Sequence, residues 1–388
     1  MSRTDDPVPN QEGDNTTMRS ALATMIRNWT GTMPPPVVTR RPSARWGAFR
    51  SRTAALTVRV ADVIEETPTV RTFVLESVTG ALDYEAGQHL TLLADVGGET
   101  VRRCYSFSTS PLAGVRPAIT VRRIDAGRLS THLHDRIRVG DTLRAAPPSG
   151  SFTLPTPARG GRHFVLVGGG VGITPLISLA ETALRRDAAA EVDLLCGHRR
   201  EDEIVFRARL EALQREFAPR LRVRLALDEA GPGWSGIRGP LGGVRVLDEV
   251  GATADAFYVC GPAPMMDDVA AALGRAGVDG SRIHIERFAY VAPAPATAPA
   301  TPREIVFAKS GRRVVAEPGQ TILAAATAAG VALPFSCTMG GCGACKVKKS
   351  EGTVVAAEPN CLSERERADG YVLTCCSYAD DGLVVADY

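Results

Sequence analysis

Four cysteines constrain this chain more tightly than anything else in it. Three stand together in Cys337-Thr-Met-Gly-Gly-Cys342-Gly-Ala-Cys345, a Cys-x4-Cys-x2-Cys spacing, and Cys375 follows after 29 residues. Four thiolates at this spacing suit a 2Fe–2S cluster. Gly340, Gly341 and Gly343 remove side chains where backbone N–H groups must turn toward cluster sulfurs. The competing reading is zinc, which usually takes two closely spaced pairs in a tetrahedral cage. A four-then-two spacing with glycines between fits that poorly. Cys376 adjoins Cys375 and is an alternative fourth ligand on spacing alone.

The rest of the composition narrows the setting. A length of 388 residues implies two or three domains. Lys and Arg number 45 against 43 Asp and Glu, a net charge of +2, so nothing argues for nucleic-acid binding. Nine cysteines, four of them in a cluster pattern, do not form a disulfide framework and point to a reducing compartment. No run of eighteen apolar residues predicts a membrane span. The start, Met1-Ser-Arg-Thr-Asp-Asp, lacks a signal-peptide layout. The expected location is cytoplasmic.

Residues 1–53 form a polar, proline-containing extension. Within it Met18 to Trp29 has the pattern of a short amphipathic helix, suited to peripheral docking on a membrane surface or partner. From residue 54 to 157 the texture becomes that of short alternating strands: Leu56–Val60, Val70–Leu75, His89–Leu93, Ile119–Arg123 and Thr142–Ala145. This predicts a small antiparallel β-barrel. Residues 158–289 alternate strands and helices, predicting a doubly wound parallel α/β sheet. Its first strand, His163–Val167, runs into Gly168-Gly169-Gly170-Val-Gly172-Ile-Thr174-Pro175 and a helix from Leu176 to Arg186. A second helix is expected over Glu201–Phe217. A glycine turn between strand and helix brings backbone and a helix N-terminus to a pyrophosphate. Residues 290–303 are nearly all Ala, Pro and Thr and read as a linker. Residues 304–388 hold a hairpin, an alanine-rich helix over Thr321–Gly330 and the cysteine loop. Lys346, Lys348 and Lys349 follow that loop and hint at a docking face for an acidic partner.

Three further motifs carry a resemblance. Arg103-Cys104-Tyr105-Ser106 stands in the barrel region with Gly87-Gln88 before it and Gly127-x-x-Ser130 after it. Gly169-Gly170-x-Gly172-Ile-Thr174-Pro175 opens the α/β region, and Cys260-Gly261-Pro262 lies further on. In this order, ahead of a plant-type ferredoxin spacing, they resemble the ferredoxin–NADP reductase superfamily. The similarity is to reductase components of phenylacetyl-CoA oxygenases, Rieske oxygenases and acyl desaturases. It implies an FAD barrel, an NAD(P) domain and an α+β β-grasp ferredoxin domain. It also implies electron flow from NAD(P)H through FAD and the cluster to an external oxygenase, hydroxylase or desaturase.

Residue by residue, the resemblance implies that Arg103 binds the flavin pyrophosphate, Tyr105 stacks on the ring and Ser106 lies near flavin N5. Gly127, Leu129 and Ser130 would meet phosphate at a helix N-terminus. The Gly-x-x-Ser element and Pro148-x-Gly150-x-Phe152 favour FAD over FMN. Cys260, with Gly261 and Pro262, would lie where hydride passes. Glu286 would relay a proton and Phe288 cover the ring. Arg199 and Arg200, with Arg238 as a further contact, would receive the 2′-phosphate of NADPH, with NADH the alternative. The resemblance puts the fourth cluster ligand at Cys375. Cys104 occupies a variable position of its motif, and the extension over residues 1–53 is unmatched. Two other expectations compete: a non-autonomous electron-transfer subunit, and a redox-sensing flavin and iron–sulfur module.

Overall fold

A computed structural model describes residues 56–387, apart from residues 80–81, 156–160, 289–294, 296, 359 and 363. The expected amphipathic helix at Met18–Trp29, and the docking role attached to it, lie outside the described residues.

Six antiparallel strands make the first unit: β1 (Leu56–Thr67), β2 (Val70–Ser77), β3 (His89–Val96), β4 (Glu99–Ser106), β5 (Ala118–Arg122) and β6 (Thr142–Ser149). Their order is β4-β3-β6-β1-β2-β5. The two edges meet where Phe107 bridges Ile119 and the Ser108 N–H donates to the Ala118 carbonyl at 2.8 Å, closing a barrel. Inward positions are apolar and sealed, with Val58, Phe73, Leu75, Leu90, Leu92 and Ile119 essentially inaccessible.

The second unit is a parallel sheet of β7 (His163–Gly169), β8 (Glu191–His198), β9 (Leu221–Leu227), β10 (Ile237–Arg238), β11 (Ala256–Cys260) and β12 (Ile283–Glu286). Strand order is β10-β9-β8-β7-β11-β12. One face packs on the helix Ile173–Arg186, and the core beneath it continues into Val70, Ala86, Phe152 and Leu154 of the barrel. The Tyr258 hydroxyl reaches across to the Thr153 carbonyl at 3.0 Å. The helix expected from Glu201 starts late. A 3-10 turn covers Glu201–Glu203, Phe206 takes a left-handed φ of 63°, and the α-helix proper is Arg207–Glu216.

The third unit has β13 (Arg303–Phe307), β14 (Arg312–Ala316), β15 (Lys346–Glu351), β16 (Val354–Ala356), β17 (Tyr371–Leu373), β18 (Ser377–Ala379) and β19 (Leu383–Asp387). Five strands form a sheet ordered β14-β13-β19-β15-β17, and β16 pairs with β18. The helix Ile322–Ala328 lies against it, started by the Thr321 hydroxyl accepting from the Ala324 N–H at 3.2 Å. Among the described residues no helix is long and apolar enough to cross a membrane.

Candidate electron-transfer site

The cysteine loop connects the helix Ile322–Ala328 to β15, and Cys375 returns just after β17. Cys337, Cys345 and Cys375 are buried and Cys342 is half-buried. The four thiols fall into two pairs. Cys345 and Cys375 have their sulfurs 3.2 Å apart, and the Cys337 N–H donates to the Cys342 sulfur at 3.5 Å. Two tetrahedral irons need two cysteines each, so the donor set suits a 2Fe–2S cluster. Backbone donors already aim at the sulfurs: the Met339 N–H at Cys337 (3.3 Å) and the Gly340 N–H at Cys375 (3.2 Å). Hydrogen bonds from Cys104 and Cys342 hold Cys337 far below the ordinary thiol range. The hydrogen bond to Cys375, and then burial, push Cys345 up. Cys376 turns its thiol toward the Leu373 carbonyl at 3.8 Å.

The barrel supplies the flavin side. Register pairs His89 with Ser106, Leu90 with Tyr105, Thr91 with Cys104 and Leu92 with Arg103. Arg103 and Tyr105 therefore share one face of β4, and Cys104 and Ser106 the other. Tyr105 packs against the barrel core, and burial raises its phenol. Arg103 is held low for a guanidinium, chiefly by burial and partly by Arg128. Arg128 opens the helix Arg128–Arg136, whose N-cap is Gly127. Two guanidinium groups beside a helix N-terminus suit a pyrophosphate. Sequence reasoning did not single out Arg128. The Ser130 hydroxyl accepts from the Ile124 N–H at 3.3 Å. Leu129 belongs to the barrel core, so only its backbone N–H is available to a phosphate.

The glycine turn of the parallel sheet is shaped by crowding. A Cβ on Gly172 would lie 2.1 Å from the Cys260 carbonyl oxygen, one on Gly169 2.5 Å from Pro262, and one on Gly261 2.8 Å from the Gly169 nitrogen. The turn after β7 and the turn after β11 thus interlock, and their glycines are required by each other. Gly170 is different: its φ is +53°, and its nearest neighbour is Arg122 of the barrel at 3.5 Å. Arg122 also pairs with Glu203 at 3.4 Å, and it joins the residues whose role was not anticipated. The Thr174 hydroxyl donates to the Val171 carbonyl at 3.0 Å, and Pro175 is buried in the first turn of its helix.

Arg199 and Arg200 sit beyond β8 in exposed ion pairs, Arg199 with Glu229 (2.7 Å) and Arg200 with Asp202 (3.0 Å) and Glu203 (3.4 Å). Just before them, His198 is buried with no partner for Nε2, and burial together with Arg122 pulls it down to about 4. Arg238 is spent on its own loop, donating to the carbonyls of Ala230, Gly231, Pro232 and Trp234. It clamps that loop.

Cys260 ends β11 in register with Gly168 on one side and Glu286 on the other. It is fully buried, which raises its thiol well above the usual value. Burial, and then Cys337, push the Glu286 carboxyl up to about 8. Phe288 is 41% exposed. The three lysines after the cluster loop are engaged locally. Lys346 pairs with Glu366 at 2.6 Å and lies over the Tyr371 ring, Lys348 lies over the same ring, and Lys349 donates to the Gly352 carbonyl at 3.0 Å.

Comparison with known proteins agrees with this geometry. Residues 56–154 match the oxidoreductase FAD-binding domain, 166–271 the oxidoreductase NAD-binding domain and 306–380 the 2Fe-2S iron-sulfur cluster binding domain. The chain is 33% identical over 353 residues to a glycine betaine monooxygenase reductase subunit of Pseudomonas aeruginosa, covering 85% of this chain and 94% of that protein. It is 31% identical over 358 residues to one of the subunits of the 1,2-phenylacetyl-CoA epoxidase of Escherichia coli, covering 88% and 98%. The structure of phthalate dioxygenase reductase superposes with a TM-score of 0.56 at 26% identity, covering 86% of this chain and 98% of that one. A flavin barrel, a nucleotide sheet and a cluster domain in one chain, matched along most of its length, make it a member of the ferredoxin–NADP reductase superfamily with a C-terminal plant-type 2Fe–2S domain.

Proposed function

We propose that this protein takes electrons in pairs from NADPH and delivers them singly to a separate oxygenase, hydroxylase or desaturase in the cytoplasm. One observation carries the reading. The barrel meets both other units: Thr91 of β3 lies 2.5 Å from the Ser336 hydroxyl and Arg102 of β4 over the Phe335 ring, both in the cluster loop, while Arg122 of β5 lies beside Gly170 in the glycine turn of the parallel sheet. Elements assigned to three different cofactors thus meet. A flavin held there would supply two-electron chemistry toward a nicotinamide and one-electron chemistry toward a cluster held by Cys337, Cys342, Cys345 and Cys375.

This chain's residues provide the setting. Arg103, Arg128 and the helix N-terminus at Gly127 hold the pyrophosphate. Ser106 is small enough to leave the flavin edge open, and Cys260 closes the far side. Glu286, buried and raised to about 8, is protonated near neutrality and holds a proton close to the hydride path. Gly169, Gly170, Gly172, Thr174, Pro175, Gly261 and Pro262 shape the nucleotide crevice at the carboxyl ends of the strands. Residues 290–303 act as a linker that gives the cluster domain reach toward its acceptor. Arg199 and Arg200 receive the 2′-phosphate. Their present ion pairs are exposed and screened by solvent, so a phosphate dianion competes with them easily. The acids there favour a second reading, NADH, with Glu229 accepting from ribose hydroxyls.

The test is an anaerobic titration of the cofactor-replete protein with NADPH and, separately, NADH, followed by visible absorption and EPR. Bleaching of the flavin band followed by the signal of a reduced 2Fe–2S cluster is expected, first with NADPH. A better response to NADH reassigns Arg199 and Arg200. Failure of both nucleotides to bleach the flavin leaves a non-autonomous subunit or a redox sensor instead.

A further inference from the structure

Strand β4 addresses two sites at once. Arg103 and Tyr105 turn to one face, while Cys104, between them, turns to the other with Thr91. That second face meets the cysteine loop. The Cys104 sulfur lies with His89 and Cys342 in a group whose ligand atoms are all within 4.8 Å of one another, and it faces Cys337 as well. Thr91 Oγ1 is 3.1 Å from the Cys104 sulfur and 2.5 Å from the hydroxyl of Ser336, the residue before Cys337. The threonine thus braces the barrel strand and the cluster loop together and fixes where the thiol points.

We infer that Cys104 is a positioning residue that tunes the cluster by donating its single S–H to a ligand sulfur of the Cys337–Cys342 pair. The inference rests on the cluster assignment made above. Cys104 is not needed as a ligand, because four other cysteines complete the set in two pairs. A donor aimed at a ligand sulfur stabilises the more negative, reduced cluster more than the oxidised one, and so raises its potential. The residue between the flavin-binding Arg and Tyr thereby makes the cluster a better acceptor for electrons arriving from the same strand's other face.

The experiment is an EPR-monitored redox titration of the full holoprotein with dithionite and mediators, on wild type, Cys104→Ala and Cys104→Ser, with iron content measured for each. The alanine variant is expected to lower the cluster potential, shifting the reduced-to-oxidised ratio at fixed poise by roughly two- to tenfold, the worth of one net hydrogen bond. Serine, which keeps a donor, should recover most of the shift. An unchanged potential in Cys104→Ala, or a serine variant that matches alanine, overturns the inference. If Cys104→Ala fails to hold iron, Thr91→Val decides, because it leaves every ligand in place and frees the thiol. It should lower the potential in the same direction, and an unchanged potential overturns the idea. Dithionite reduces the cluster without the nucleotide, so failure of tuning is distinct from failure of the NAD(P)H-to-cluster route.

Discussion

The nucleotide turn after β7 and the cluster loop are both rich in glycine, and their most constrained glycines are needed for different reasons. In the turn after β7, Gly172 has an ordinary backbone conformation, but an added Cβ would lie 2.1 Å from the backbone oxygen of Cys260. In the cluster loop, Gly340 and Gly343 have φ of +73° and +69°. The nearest obstacles to a Cβ there are side-chain sulfurs, Cys376 at 2.9 Å and Cys361 at 3.7 Å. At Gly172 the first loop is short of room, whereas at Gly340 and Gly343 the second needs left-handed backbone, as Gly170 alone does in the first. Crowding by backbone cannot relax, whereas a left-handed φ costs a bounded amount. A glycine motif in a sequence therefore reports that a side chain is forbidden without saying what forbids it.

The sharpest way to break the comparison is Gly172→Ala. With the overlap falling on backbone, the loss should be about 3 kcal/mol or more, read as a drop in Tm, together with loss of nucleotide-driven flavin bleaching. The dithionite-reduced cluster signal should survive. If NADPH still bleaches the flavin at the wild-type rate, the two turns do not interlock as described.

A second test moves to the other end of β8. Asp193 is buried and bonded to His163 (2.7 Å), Arg222 (2.8 Å) and Arg224. Although burial alone would raise it, these partners hold its carboxyl far below the usual range. Such a group contributes stability above the unfolded carboxylate value, near 4, and loses it as pH falls through the folded value. Asp193→Asn should cost about 2 kcal/mol at pH 7, discounted because the arginines are partly exposed. Thermal melts should show the gap to wild type closing below about pH 4. A gap that stays constant to pH 3 refutes the charge assignment.

Gly340→Ala should cost about 1–2 kcal/mol in backbone strain, visible as lower iron content with the hydride step intact. Gly343→Ala, with more room, should cost less. A loss at Gly343 equal to that of Gly172→Ala would erase the distinction between the loops. The smallest effect is expected at Gly274, in the helix Ala263–Arg275, with no neighbour within 4 Å of an added Cβ and no left-handed φ. Gly274→Ala should raise stability by about 0.5 kcal/mol, measured by denaturant midpoint.

What the sequence reveals and what it hides follow the same division. The cysteine spacing, the period-two strands and the strand–glycine–helix turn are local patterns, and each reappears as an element. Contacts between distant segments are not local. Leu129 sits in a phosphate-binding pattern, yet its side chain belongs to the barrel core, because spacing does not say which way a residue on a helix turns. Arg238 has the chemistry for a phosphate but is consumed by four carbonyls of its own loop. Arg122, Arg128 and Thr91 carry no role in the sequence pattern because their partners lie on other elements. The late start of the Arg207–Glu216 helix depends on one left-handed residue, Phe206, a side chain that gives no hint of it.

Strand β19, the element nearest the carboxyl end, lies in the middle of its sheet, parallel to β13 on one side and antiparallel to β15 on the other. On the ribosome, the barrel and the nucleotide sheet can be finished while this sheet is still in two halves. The sheet behind the cysteine loop cannot close before β19 is made, and by then the surface on β3 and β4 that faces that loop has already been synthesised. A ribosome that stalls a few codons short of β19 would release a flavoprotein with no stable outlet for its electrons.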